Sequence, residues 1–160
     1  MNIMKTFVCM APWRYFTEMP EQKKREMTSK SPEETDRIAR EFAQELSPGD
    51  IVFLYGELGS GKTVFVKGVC AGLGVQDDVT SPSFVIATEY RGSMKVAHID
   101  LYRLSVSEAG ALPIEEYMVD DGVTLIEWAD RLEVTSTGIN VRLSVVNHEQ
   151  RKIEIEDLRN

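Results

Sequence analysis

The chain has 160 residues, 42% hydrophobic and 28% charged, enough for one domain with a sizeable core and no need of disulfides. Eighteen Lys and Arg stand against 26 Asp and Glu, and the net charge of −8 opposes unaided binding to a polyanion such as DNA or tRNA, so a nucleic-acid role runs through a partner. Cys9 and Cys70 support neither a disulfide framework nor a zinc site, and no apolar run approaches the ~18 residues of a membrane span, which together predict a cytoplasmic protein without membrane contact.

Residues 1–23 show no clear period and carry Pro12 and Pro20. They read as an N-terminal extension, not a signal peptide, with Trp13, Tyr15 and Phe16 available to dock on the domain or on a partner. Ser31-Pro32-Glu33-Glu34 predicts a helix start, with Ser31 as N-cap and Glu34 placed to complete a capping box. Ile38, Ala39, Phe42, Ala43 and Leu46 recur on one face, and Ser47-Pro48-Gly49-Asp50 ends the helix. The apolar strand Ile51–Tyr55 then enters Gly56-Glu57-Leu58-Gly59-Ser60-Gly61-Lys62-Thr63, which a helix from Val64 to Leu73 follows. Cys70 on that helix reads as a small core residue.

Thr80-Ser81-Pro82-Ser83-Phe84 is a hydroxyl-rich segment before the apolar run Val85-Ile86-Ala87. Arg91-Gly92-Ser93 predicts a hairpin turn between strands near Val85–Tyr90 and Lys95–Asp100. Ser107–Leu112 reads as a short helix, Pro113–Asp121 as irregular or helical, and Val123–Ile126 as a buried strand ending at Glu127-Trp128. Two alternating runs, Asn140–Val146 and Lys152–Glu156, predict a closing hairpin. Helices alternating with apolar strands predict an α/β protein: a three-layer P-loop NTPase fold with a mixed, largely parallel central sheet, formed by a single domain over 24–160.

The eight residues from Gly56 satisfy G-x-x-x-x-G-K-[ST] in strand-to-helix context. Glycines let successive backbone N–H groups converge on phosphate oxygens, Lys62 adds a point charge for the terminal phosphates, and Thr63 offers a hydroxyl to Mg²⁺ at a helix N-terminus. Mg²⁺ bridging phosphates needs one or two carboxylates, and Asp100 and Glu127 both end strands that face the loop; spacing does not rank them. His98 reads as a satisfied strand histidine and His148 as solvated. The guanine-reading Asn-Lys-x-Asp is absent, which favours ATP.

Four ordered segments, Gly56–Thr63, Thr80–Phe84, His98–Leu104 and Leu125–Trp128, resemble the TsaE family of bacterial ATPases over residues 28–157. Glu57, Ser60 and Ser83 depart from the usual Asp, Ala and Thr conservatively. The resemblance implies that Thr63 and Glu127 hold Mg²⁺, that Lys62 and the loop amides hold ATP phosphates, and that Asp100 acts near the metal or the attacking water. It further implies a γ-phosphate switch at Thr80–Phe84, a nucleotide base near Ser31 and Thr35, and a tail arginine near the nucleotide, for which Arg151 is the choice. Trp128 either lines the nucleotide site or is a core aromatic. The implied function is ATP hydrolysis that cycles TsaD-type and TsaB-type proteins in making threonylcarbamoyladenosine, touching tRNA only through that complex. A small-molecule kinase and a non-catalytic ATP-dependent assembly module are the alternatives.

Overall fold

The computed structural model describes residues 23–82, 85–133 and 137–159. Cys9, Trp13, Tyr15 and Phe16 of the extension, and Ser83 and Phe84 of the hydroxyl-rich segment, lie outside them. Seven strands form one sheet: β1 (Lys23–Ser29), β2 (Ile51–Tyr55), β3 (Ala87–Arg91), β4 (Lys95–Asp100), β5 (Gly122–Glu127), β6 (Ile139–Val145) and β7 (Arg151–Asp157), in the order β1-β7-β6-β2-β5-β4-β3. The central block β6-β2-β5-β4 is parallel. Antiparallel strands extend both edges, giving a P-loop NTPase fold with a mixed sheet.

Strand β1 has no counterpart among the sequence expectations, and its composition explains why. Met27 is its one apolar residue, so alternation gives no signal. Charge supports it instead: Lys152 reaches Glu26 across the strands at 2.9 Å, and Arg25 reaches Glu45, beyond the first helix, at 2.7 Å while lying over the Phe42 ring.

Helices α1 (Pro32–Ala43) and α2 (Lys62–Gly72) cover one face of the sheet, where Phe42, Phe65, Val66 and Val69 bury Val52, Leu54, Leu125 and Val141. Ser31 caps α1 by accepting from the Glu34 N–H at 3.2 Å. Glu34 does not close the box on Ser31, as the spacing predicts; its carboxylate takes the Lys30 N–H at 2.8 Å, one residue earlier. On the other face, helix α3 (Val106–Gly110) and two 3-10 turns, Ile114–Tyr117 and Ala129–Arg131, bury Phe53, Ile99, Leu101 and Ile126. Ser105 and Glu108 form a complete capping box on α3.

The two long helices approach closely because α2 turns glycines towards α1. A Cβ on Gly68 would lie 2.6 Å from the Ala39 Cβ, and one on Gly72 2.7 Å from the Ala43 Cβ. Helix propensity alone favours Gly68→Ala by about 1 kcal/mol. The clash reverses the sign, and overpacking predicts a net loss of about 1–2 kcal/mol, read as a lower urea midpoint at unchanged slope. A raised midpoint would show that the helices are not held this close.

Candidate phosphate-loop site

Three strand ends converge at the carboxyl edge of the parallel block, where open α/β sheets bind ligands. Strand β2 delivers the loop 56–61, and β4 and β5, paired in register, deliver Asp100 beside Glu127. Gly56, Gly59 and Gly61 all have positive φ, at 144°, 79° and 101°. A Cβ on Gly56 would collide with the Leu143 carbonyl and come within 2.6 Å of the Ser60 Oγ, so no other residue fits there. Ser60 is fully buried and its hydroxyl has no partner among the described residues. Glu57, Leu58 and Gly59 are exposed at the loop's rim.

Lys62 folds back over its own loop. Its ammonium donates to the carbonyls of Gly56 at 2.7 Å and Glu57 at 3.0 Å and sits 3.8 Å from the centroid of the Trp128 ring. Trp128 stacks on Tyr102 at 4.9 Å and has φ 59°, the one positive value among the described non-glycine residues. The ring packs against the second core, as the core-aromatic reading expects, and also faces the loop lysine. Burial pushes the Lys62 ammonium below the ordinary lysine range, opposed by the negative charges of Glu127, Asp100, Asp130 and Glu57.

The Thr63 hydroxyl lies 3.1 and 3.0 Å from the two oxygens of Glu127, which is 2% exposed. Asp100 points beside it, accepting from the Ser81 hydroxyl and, at 2.9 Å, from the Tyr102 N–H. In the hydroxyl-rich segment it is thus Ser81 that meets Asp100. Thr80 is exposed, and Tyr90 anchors its backbone through N–H and carbonyl at 3.4 and 3.2 Å.

His98 lies on β4 two residues before Asp100, so strand alternation puts both on one face. It is wholly buried with Nε2 2.9 Å from Glu127 Oε1, while Nδ1 has no partner. The expectation of a satisfied strand histidine holds at Nε2 and not at Nδ1, and the partner of Nε2 comes from the neighbouring strand, which sequence spacing does not show.

A cavity of about 450 Å³ opens on the other side of the loop, between Ser31 and Thr35 of α1, Gly59 and Gly61, and His148 and Arg151 of the tail hairpin. Thr35 is spent on internal hydrogen bonds, to Ser29 at 2.6 Å and the Ser31 carbonyl at 3.3 Å, so it contributes shape more than donors. Arg151 is not a free cation facing this cavity. Its guanidinium straps the turn to the loop, donating to the Gly59 carbonyl at 3.3 and 3.2 Å and to those of Asn147, His148 and Gln150. His148 is exposed at the cavity's rim.

A smaller cavity of about 340 Å³ lies beside Asp100, Ser81 and Tyr102. A larger one, about 530 Å³, is lined by Phe53, Leu112, Ile114 and Leu132 with Ser107, Glu115 and Glu133 and by no basic residue, so the chemistry of phosphate binding points to the loop and not to it. Among the described residues no group of three His, Cys, Asp or Glu could hold a metal ion. A carboxylate and a hydroxyl at a phosphate loop nevertheless suit Mg²⁺, which takes most of its remaining oxygens from phosphates and water.

The family model described as threonylcarbamoyl adenosine biosynthesis protein TsaE matches residues 29–154. Relatives named tRNA threonylcarbamoyladenosine biosynthesis protein TsaE include one from Synechocystis, 43% identical over 103 residues, and one from Bacillus subtilis, 44% identical over 104. Those matches cover 61% and 64% of the chain and span 66% and 65% of the relatives, just under two thirds of their length. One from Treponema pallidum is 35% identical over 130 residues, 79% of this chain and 96% of that protein. The crystal structure of Bacillus subtilis YdiB superposes with a TM-score of 0.69 at 32% identity, covering 88% of this chain and 89% of that one.

Because the folded-state value of Lys62 is depressed, the folded protein binds fewer protons than the unfolded one between that value and 10.5. Its contribution to stability therefore rises with pH across that window. Glu127 is the foremost group supporting the ammonium, so Glu127→Gln lowers the Lys62 pKa further, read by NMR titration of its side chain. A rise would contradict the electrostatics described.

Proposed function

The chain belongs to the TsaE family, and from that premise we propose that it is a Mg²⁺-dependent ATPase serving threonylcarbamoyladenosine formation in tRNA. The observation that carries the reading is the Thr63 hydroxyl on the Glu127 carboxylate, at the mouth of a phosphate loop that already positions Lys62. Residues 24–160, with Lys23 of β1, would form the ATPase domain and the residues before them an extension to it.

Thr63 and Glu127 would hold Mg²⁺, which when bound neutralises charge on the bridging phosphate oxygens. Lys62 exchanges the Gly56 and Glu57 carbonyls for phosphate oxygens, regaining the charge compensation that burial weakens. The loop amides bind the same phosphates, with Ser60 and Gly61 nearest the start of α2. Asp100, beside Glu127 on the adjacent strand, orients the attacking water, and its contact with Ser81 links the chemistry to the Thr80–Phe84 switch. The base occupies the cavity between Ser31, Thr35 and the Arg151 strap, with Trp128 closing the opposite side of Lys62.

Arg151 is spent on backbone carbonyls and Arg103 lines the cavity beside Asp100; on this reading turnover by the chain alone is slow. TsaD-type and TsaB-type proteins accelerate it, and hydrolysis resets their complex between rounds of transfer. A net charge of −8 fits a subunit that acts on that complex and meets tRNA only through it.

Replacing Lys62 by Ala removes a charge-assisted interaction of about 1.5–3 kcal/mol. Calorimetry should show ATP affinity reduced about ten- to a hundredfold at unchanged circular dichroism. Wild-type affinity in this variant would sink the site assignment. In a phosphate-release assay, TsaD-type and TsaB-type proteins together raise the rate. An unchanged rate, or phosphate appearing on a small-molecule acceptor, would refute the partner-coupled ATPase.

A further inference from the structure

Glu127 is 2% exposed, and such a carboxylate needs donors. Thr63 is one, and it is also the group that must turn its oxygen to a metal. His98 is the other, at 2.9 Å. An ionised carboxylate only accepts, so the bridging proton belongs to Nε2, while Nδ1 meets no partner among the described residues. Among the described residues His98 thus meets a single polar group, the carboxylate at the phosphate loop.

The backbone fixes the direction of that contact. Strand β4 pairs with β5 in parallel, Asp100 opposite Glu127 and His98 opposite Leu125. His98 therefore lies one step deeper than Asp100 on the same face and reaches Oε1 from below, while Thr63 approaches from the start of α2. Held from two directions, the carboxylate has its rotamer fixed.

Resting on the Mg²⁺–ATP reading above, we propose that His98 is a positioning residue for the metal: its Nε2–H holds Glu127 in the orientation that receives Mg²⁺ beside Thr63. The imidazole touches neither nucleotide nor metal and acts only through that carboxylate. The Thr63 hydroxyl is thereby free to leave Glu127 when the ion arrives, because the carboxylate keeps a second anchor.

The test measures binding of a non-hydrolysable ATP analogue to the full chain by calorimetry, across a Mg²⁺ titration and in EDTA. In His98→Phe the Mg²⁺ concentration giving half of the affinity gain rises about 10–100-fold, the usual cost of losing such an anchor, while affinity in EDTA is unchanged. His98→Gln, whose amide nitrogen falls near Nε2, restores most of the response. His98→Asn, whose nitrogen falls near Nδ1, does not, and this pair keeps the comparison open if His98→Phe fails to fold. In a Glu127→Ala background, His98→Phe has no further effect on the Mg²⁺ response.

A wild-type Mg²⁺ response in His98→Phe, an equal loss in EDTA, or equal behaviour of the Gln and Asn variants would each overturn the role of His98 alone. A wild-type chain whose analogue affinity ignores Mg²⁺ would overturn the Mg²⁺–ATP reading and this inference with it.

Discussion

A carboxylate taken out of water at the end of a central strand constrains everything around it. Glu127 sits where β5 reaches the sheet's carboxyl edge, and removing an ion of that size from solvent costs several kcal/mol unless donors or opposite charge compensate. Thr63 from α2 and His98 from β4 supply the donors, and Lys62 supplies the nearby charge. The first turn of α2, the register of β4 against β5, and the buried lysine of the loop are thus tied to one side chain. The conformation of Trp128, the residue after Glu127, belongs to the same arrangement: a left-handed backbone at a bulky residue costs about 1–2 kcal/mol and brings the indole over the Lys62 ammonium.

Around that centre the cleft divides by chemistry. On one side the α1 start and the tail hairpin wall a cavity, with Arg151 strapping the hairpin to the loop. On the other, Asp100 joins β4 to the hydroxyl-rich segment through Ser81. On the proposed reading, loop occupancy would be felt in two directions. Lys62 leaving the Gly56 and Glu57 carbonyls would change the rim where Leu58 is 72% exposed, and a shift of Asp100 would change the hold on Ser81.

Much of this was legible in the sequence where local rules act alone. The phosphate loop has a fixed spacing, β4 is bounded by a hairpin turn and a terminal carboxylate, and Ser31-Pro32 marks a helix start whatever lies elsewhere. What escaped depends on partners distant in the chain. Strand β1 is held by charges on β7 and by Glu45, so its own residues carry almost no period. Arg151 spends its guanidinium on carbonyls that no spacing reveals, and His98 meets Glu127 across 29 residues. A usable signal for His98 did exist, since a residue two before Asp100 in a strand shares its face. Reading it required knowing that β4 and β5 are neighbours in register.

The claim at the centre of this account is that Thr63 and Glu127 make a Mg²⁺ site for ATP phosphates. Its most direct test is a crystal structure of the chain with Mg²⁺ and a non-hydrolysable ATP analogue. The predicted result is phosphates inside the loop 56–63, Lys62 turned onto them, and the ion between the Thr63 hydroxyl and a phosphate oxygen with Glu127 coordinating it directly or through water. Phosphates outside the loop, or an ion remote from Thr63 and Glu127, would contradict it.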